Sequence, residues 1–288
     1  MRISLISLFL LLNGFFLNAQ HFEVGATIGG SNYLGDLTPS GLWTSLGETH
    51  LSVGGFVRYN FLGWFAFRGS VNYGNIAASD SRATDEFFRQ QRNLSFRSDI
   101  FEVALTAEIN ILKYLAYNRR RPFSPYIFGG IAVFTHNPKA LYEGEWYALQ
   151  PLGTEGQGLP GYQNKYQLTQ FSIPMGFGIK YTHNDNWNLG FEFGMRKTFT
   201  DYLDDVSQYY PDLDELAHIN GSIAAQLSWR TDEVIPDADP PSRGSPRGDP
   251  TDLDWYIFSG IFISYNFFGH HYIETRREKA KVKCAFFD

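Results

Sequence analysis

In FSIPMGFGIKYT, residues 171 to 182, every second residue is apolar: Phe171, Ile173, Met175, Phe177, Ile179 and Tyr181. Between them stand Ser172, Pro174, Gly176, Gly178, Lys180 and Thr182, which are small, polar or charged. Successive side chains of a strand point to opposite sides of a sheet. The segment therefore reads as a strand with one continuous apolar face, and what that face meets decides the fold. The same period recurs in WNLGFEFGMRKTFT, FEVALTAEINI, HLSVGGFVRYNF and FAFRGSVNYG. HFEVGATIGGS and DWYIFSGIFISYNF alternate less cleanly. SPYIFGGIAVF is apolar on both faces, which leaves its orientation open.

These segments give eight strands, near residues 22–34, 50–60, 64–76, 99–112, 124–135, 168–182, 187–200 and 255–267. Most reach the ~9–11 residues that cross a bilayer at a tilt. An even count is what single-chain bacterial barrels require. The connections after the second, fourth and sixth strands are short, whereas those after the first, third, fifth and seventh are long. That asymmetry belongs to an all-β, eight-stranded antiparallel transmembrane β-barrel with short periplasmic turns and long extracellular loops. A soluble sandwich has no reason to gather its long loops at one end. Aromatics at 17% and 28 glycines suit many strands and tight turns.

The inward parity carries Glu23, Glu102, Glu108 and Glu192 against Arg58, Arg68, Lys180 and Arg196. An eight-stranded barrel is just wide enough to be filled by its own side chains. Charges in that dry space need partners. A balanced set predicts a closed lumen rather than a diffusion pore.

Residues 1–19 read as a secretory signal peptide, with an early Arg2 and an apolar run from Ile3 to Leu12. Residues 20–267 then form the outer-membrane barrel and 268–288 a basic periplasmic tail. The location expected is the cell outer membrane, with outer-membrane lipid around the barrel. A net charge of −6 excludes the basic footprint of a nucleic-acid binder. A single Cys excludes an internal disulfide. Within the loop 201–254, thirteen acidic residues face three basic ones. Its first half allows a short amphipathic helix, with Leu213, Leu216, Ile219, Ile223 and Leu227 at helical spacing. Its Pro-, Gly- and Asp-rich second half is expected to be mobile, within a solvated, self-repelling loop. Calcium between its carboxylates is the sharper reading, but DPTDLD lacks the Gly and closing Glu of an EF-hand. The tail carries Arg276, Arg277, Lys279, Lys281 and Lys283, and the turn after the fourth strand carries Arg119, Arg120 and Arg121. These eight cations are the candidate periplasmic docking surface. His270, His271 and Cys284 match no standard metal spacing.

The signal ending LNAQ, the opening FEVGATIGGSNYLGDL, SPYIFGGIAVF and RKTFTDYLDDVS together resemble the PorG-type outer-membrane barrels of the Bacteroidota type IX secretion system. The resemblance implies a non-enzymatic barrel that ties a periplasmic ring, built from a lipoprotein and its partner, to the outer membrane. It implies no catalytic residue and no cofactor. Two other readings stand beside it: a generic structural or adhesive barrel, and an outer-membrane lipid hydrolase. The hydrolase would use Ser52 and His50, which share a face but lack an identifiable carboxylate to orient the His.

Overall fold

The computed structural model describes residues 22–38, 47–61, 63–83, 87–112, 114, 122–183 and 186–267. Eight strands close a barrel: β1 (Phe22–Leu34), β2 (His50–Phe61), β3 (Phe65–Ser79), β4 (Ser95–Asn110), β5 (Phe123–Thr135), β8 (Thr169–Thr182), β9 (Trp187–Thr198) and β10 (Trp255–Asn266). Each pairs antiparallel with its two neighbours, and β1 meets β10 from Glu23 opposite Asn266 to Leu34 opposite Trp255. Gly29 and Gly260 face each other on that seam. A Cβ on Gly29 would fall 2.0 Å from the Ser259 carbonyl oxygen, and one on Gly260 would fall 2.4 Å from that of Ile28. Only glycine permits so close an approach of the two backbones.

The alternation turns one side chain in two outward. Leu51, Ile131, Phe171 and Ile261 are each more than 60% exposed, although all four lie within barrel strands. An apolar band of that extent on a closed barrel is a lipid-facing surface, and the protein is an outer-membrane barrel. At the short-turn end the band finishes in tilted or edge-to-face aromatic pairs: Phe22 with Tyr59 at 5.1 Å, Phe123 with Tyr181 at 5.0 Å, and Trp187 with Tyr265 at 5.1 Å. Such a girdle marks a membrane–water interface.

The long loops build a cap over the other end. It holds α1 (Phe87–Arg92), a hairpin of β6 (Pro138–Tyr142) and β7 (Glu145–Ala148), α2 (Leu149–Leu152), α3 (Leu213–Asn220) and α4 (Ser222–Ser228). The hairpin is a departure from the expected plain loop. It extends the barrel sheet through β4, and it turns at Glu143 and Gly144, both with positive φ. Leu37, Ile76, Phe96, Leu149, Leu203, Val206 and Leu227 form a buried core continuous with Phe134, Tyr256 and Phe258 at the top of the lumen. The single amphipathic helix expected near residue 220 is instead two, broken at Gly221 with φ +95°. Leu216 and Leu227 are buried, whereas Ile219 is exposed.

Candidate functional site: a filled lumen under a folded cap

Alternation on β1, β2, β3, β4, β8 and β9 delivers all eight of the lumen charges inward. Glu23, Arg58, Glu102, Glu108 and Lys180 are wholly buried, and Arg68 and Arg196 nearly so. Glu108 is the hub of the lower layer. It accepts from Arg58 Nε at 2.9 Å and Lys180 Nζ at 2.8 Å, and Arg68 Nε lies 3.4 Å away. Arg58 Nη1 also reaches Glu23 at 2.6 Å, while Ser264 and Asn60 donate to the same carboxylate. Higher up, Arg68 pairs with Glu192, which also accepts from the Tyr126 hydroxyl at 2.7 Å. A third node joins Arg196 Nε to Glu102 at 3.1 Å, with Tyr256 and Asn72 donating to that carboxylate at 2.7 and 2.8 Å.

Between the lower and upper charges lies an aromatic layer of Phe56, Tyr126, Phe128 and Phe262. The guanidinium of Arg58 sits 4.6 Å from the Phe56 ring centroid, and that of Arg68 sits 5.0 Å from Phe128. This settles the orientation of the strand near residue 130: Tyr126, Phe128, Ala132 and Phe134 point in. Both of its faces are apolar because its inward residues pack against rings and cation faces. From the short-turn end Tyr114 enters as a stopper, donating to Asn188 at 3.0 Å beneath Lys180. Its turn sequence, KYLAYNRRR, gives no periodicity that would have marked it.

The cap has its own buried ion nodes. Asp80 holds Arg92 through both oxygens, at 2.7 and 2.8 Å, and Arg89 at 3.2 Å. Arg247, buried, donates to Glu155 at 3.1 Å, to the Asp205 carbonyl at 2.5 Å and to the Ser228 carbonyl at 3.2 Å. It lies within the Pro- and Gly-rich stretch expected to be mobile. That stretch is instead fastened, because one buried guanidinium with five donors ties it to three other segments.

Acids remain in excess around Tyr33. Its hydroxyl lies 2.7 Å from Asp204 Oδ2 and 2.8 Å from Asp254 Oδ1. One proton cannot serve both oxygens. Burial, with neighbouring carboxylates, pushes both acids well above the ordinary range. Burial also raises Asp201 to about 8 and Asp36 to about 6. Among the described residues no group of three or more His, Cys, Asp or Glu is arranged to hold a metal.

Ser52 is buried on the inner face, and among the described residues no hydrogen bond joins it to His50. The docking residues Arg119, Arg120, Arg121, Arg276, Arg277, Lys279, Lys281 and Lys283 lie outside the described residues, as do His270, His271 and Cys284.

No curated protein matches the chain. Solved structures to which it is similar include Ail, the attachment invasion locus protein of Yersinia pestis. The two are 10% identical, with 86% of this chain and 100% of that chain covered and a TM-score of 0.39. Neisserial surface protein A is likewise 10% identical over 85% of this chain and 97% of its own, with a TM-score of 0.39. OprG from Pseudomonas aeruginosa is 8% identical over 86% and 96%, with a TM-score of 0.38. Residues 2–225 match the family model described as Domain of unknown function (DUF6089), and the chain belongs to that family.

Proposed function

We propose that the protein is a non-enzymatic, non-conducting structural barrel of the outer membrane that works through the surfaces at its two ends. The observation that carries this is the lumen. Four acids, four bases and an aromatic layer fill it, Tyr114 stops it below, and the cap core continues it above. A solute has no route through such packing, and a buried, fully engaged carboxylate is not poised for proton transfer. Purified protein in a planar bilayer should give no steady conductance, and it should not release fatty acid from phospholipid vesicles. Either activity from the wild type, absent in a heat-denatured control, would overturn the reading.

For the periplasmic end we propose the ring of the type IX secretion machinery, its lipoprotein and partner, as what the barrel anchors. The support is the sequence resemblance, together with the basic run at Arg119, Arg120 and Arg121 and in the tail from Arg276 to Lys283. Complementary charge would set register and encounter rate. Deleting residues 270–288 and replacing the three arginines by Ala should leave the barrel assembled while ring components are no longer pulled down. Undiminished pull-down would place the docking surface elsewhere.

A further inference from the structure

The outward face of the barrel sheet does not end with the lipid band. Along β4 the outward residues run Leu105, Val103 and Phe101, and then Asp99 and Arg97. β6 pairs with β4 just beyond the end of β5, setting Lys139 directly opposite Arg97. Two cations facing each other across a ladder repel. Among the described residues neither of them enters an ion pair. Asp99 is the acid next along that face, and its Oδ1 accepts from Tyr73 at 3.0 Å and Asn75 at 3.0 Å. The other acid with a described bond there, Glu145, stands at the hairpin's far end and accepts from Tyr147.

Beside the cations the hairpin turns Leu141 and Trp146 outward as a cross-strand pair, 42% and 51% exposed. The Arg97 guanidinium lies 5.9 Å from the Trp146 ring. Ala140 and Tyr147, the alternate pair, pack on the cap core, which fixes the hairpin against the barrel. Lys139 stands four residues beyond Thr135 in sequence, roughly 13 Å along the chain at the strand rise. Arg97 itself stands twelve residues along β4 from Ile109 near the short-turn end, roughly 40 Å at the strand rise and roughly 30 Å of height at a tilt of about 40°. That lies just past an apolar band about 25 Å tall, where amphipathic aromatics and cations anchor proteins.

We propose that Arg97 and Lys139 bind the phosphate of an outer-leaflet lipid, with Trp146 and Leu141 against the body of that lipid. An anion between the two cations converts their repulsion into two charge-assisted hydrogen bonds. The surface is continuous with the lipid-facing face of the same sheet, which is why the occupant is lipid rather than a soluble anion or a protein.

The test uses the full-length barrel in nanodiscs of phosphatidylcholine doped with lipid A, with bound lipid counted by native mass spectrometry after release. Wild type should retain lipid A in preference to its dephosphorylated form. Arg97→Gln with Lys139→Gln should lower that preference roughly ten- to a hundredfold, whereas exchanging the two cations, Arg97→Lys with Lys139→Arg, should largely keep it. The mobility of unboiled protein on gels reports that each variant is still a closed barrel. Equal retention by the Gln pair, no discrimination by phosphate, or displacement by inorganic phosphate at millimolar concentration would each overturn the proposal.

Discussion

Glu108 shows how much one buried side chain governs here. Its carboxylate neutralises Arg58 and Lys180 directly and stands beside Arg68. Replacing it by Ala leaves three buried cations short of a partner. The cost should reach or exceed the roughly 3–5 kcal/mol typical of breaking one buried pair. Urea unfolding in liposomes, followed by tryptophan fluorescence, reads that loss. Arg196→Ala should cost about 3–5 kcal/mol, because Glu102 is then left unpaired. Arg196→Met combined with Glu102→Leu should restore most of it, since removing both charges removes the desolvation penalty as well. A double variant as unstable as the single one would mean that leaving the Tyr256 and Asn72 donors without their acceptor costs as much as breaking the ion pair. The identities of the inward charges were legible from parity alone, because period two assigns every residue of a strand to a face. Which acid meets which base was not. Glu108 and Lys180 are 72 residues apart and lie on strands that are not neighbours in the sheet, so their pairing depends on closure.

At the scale of elements the cap makes the sharpest predictions. Its carboxyls Asp201 and Asp36, raised by burial to about 8 and about 6, hold protons more tightly in the folded cap than in an unfolded loop. A raised acid adds stability that is full below the ordinary carboxylate value near pH 4 and is lost as pH rises through the folded value. Cap stability should therefore fall from about pH 4 to about pH 8, the opposite of an ordinary salt-bridged carboxylate. Limited proteolysis of the 201–254 loop across that window measures it, and Asp201→Asn should flatten the upper part of the curve. Protection that rises with pH would contradict this. Arg247→Ala should loosen the same loop by roughly 3–5 kcal/mol, because it strands Glu155 and Asp205. Thermal shift and proteolysis at Arg230 and Arg243 would register the change.

The barrel strands were readable to within a few residues, since their apolar faces obey lipid. The cap was not. Pro236 to Pro250 has the composition of a mobile linker, and nothing local announces that Arg247 will be buried against Glu155, 92 residues away. The β6–β7 hairpin is illegible in the sequence for a similar reason: PKALYEGEWYA is too short to display sustained alternation, and its partner Arg97 is distant in sequence.

Taken whole, the molecule is a lipid-facing cylinder filled by its own charges and rings, closed above by a cap with a buried core of its own. Its apolar band and closed register make it an outer-membrane protein. Its filled interior is what supports the proposal that it works through its surfaces. That proposal rests on the lumen being shut, and single-channel recording in planar bilayers measures that directly. The wild-type barrel should show no steady openings over the range of voltages that bilayers tolerate. Deleting the 201–254 loop should not create them, because the Glu108, Glu192 and Glu102 nodes and the aromatic layer lie within the barrel itself. Steady, porin-sized conductance from the wild type would contradict the account.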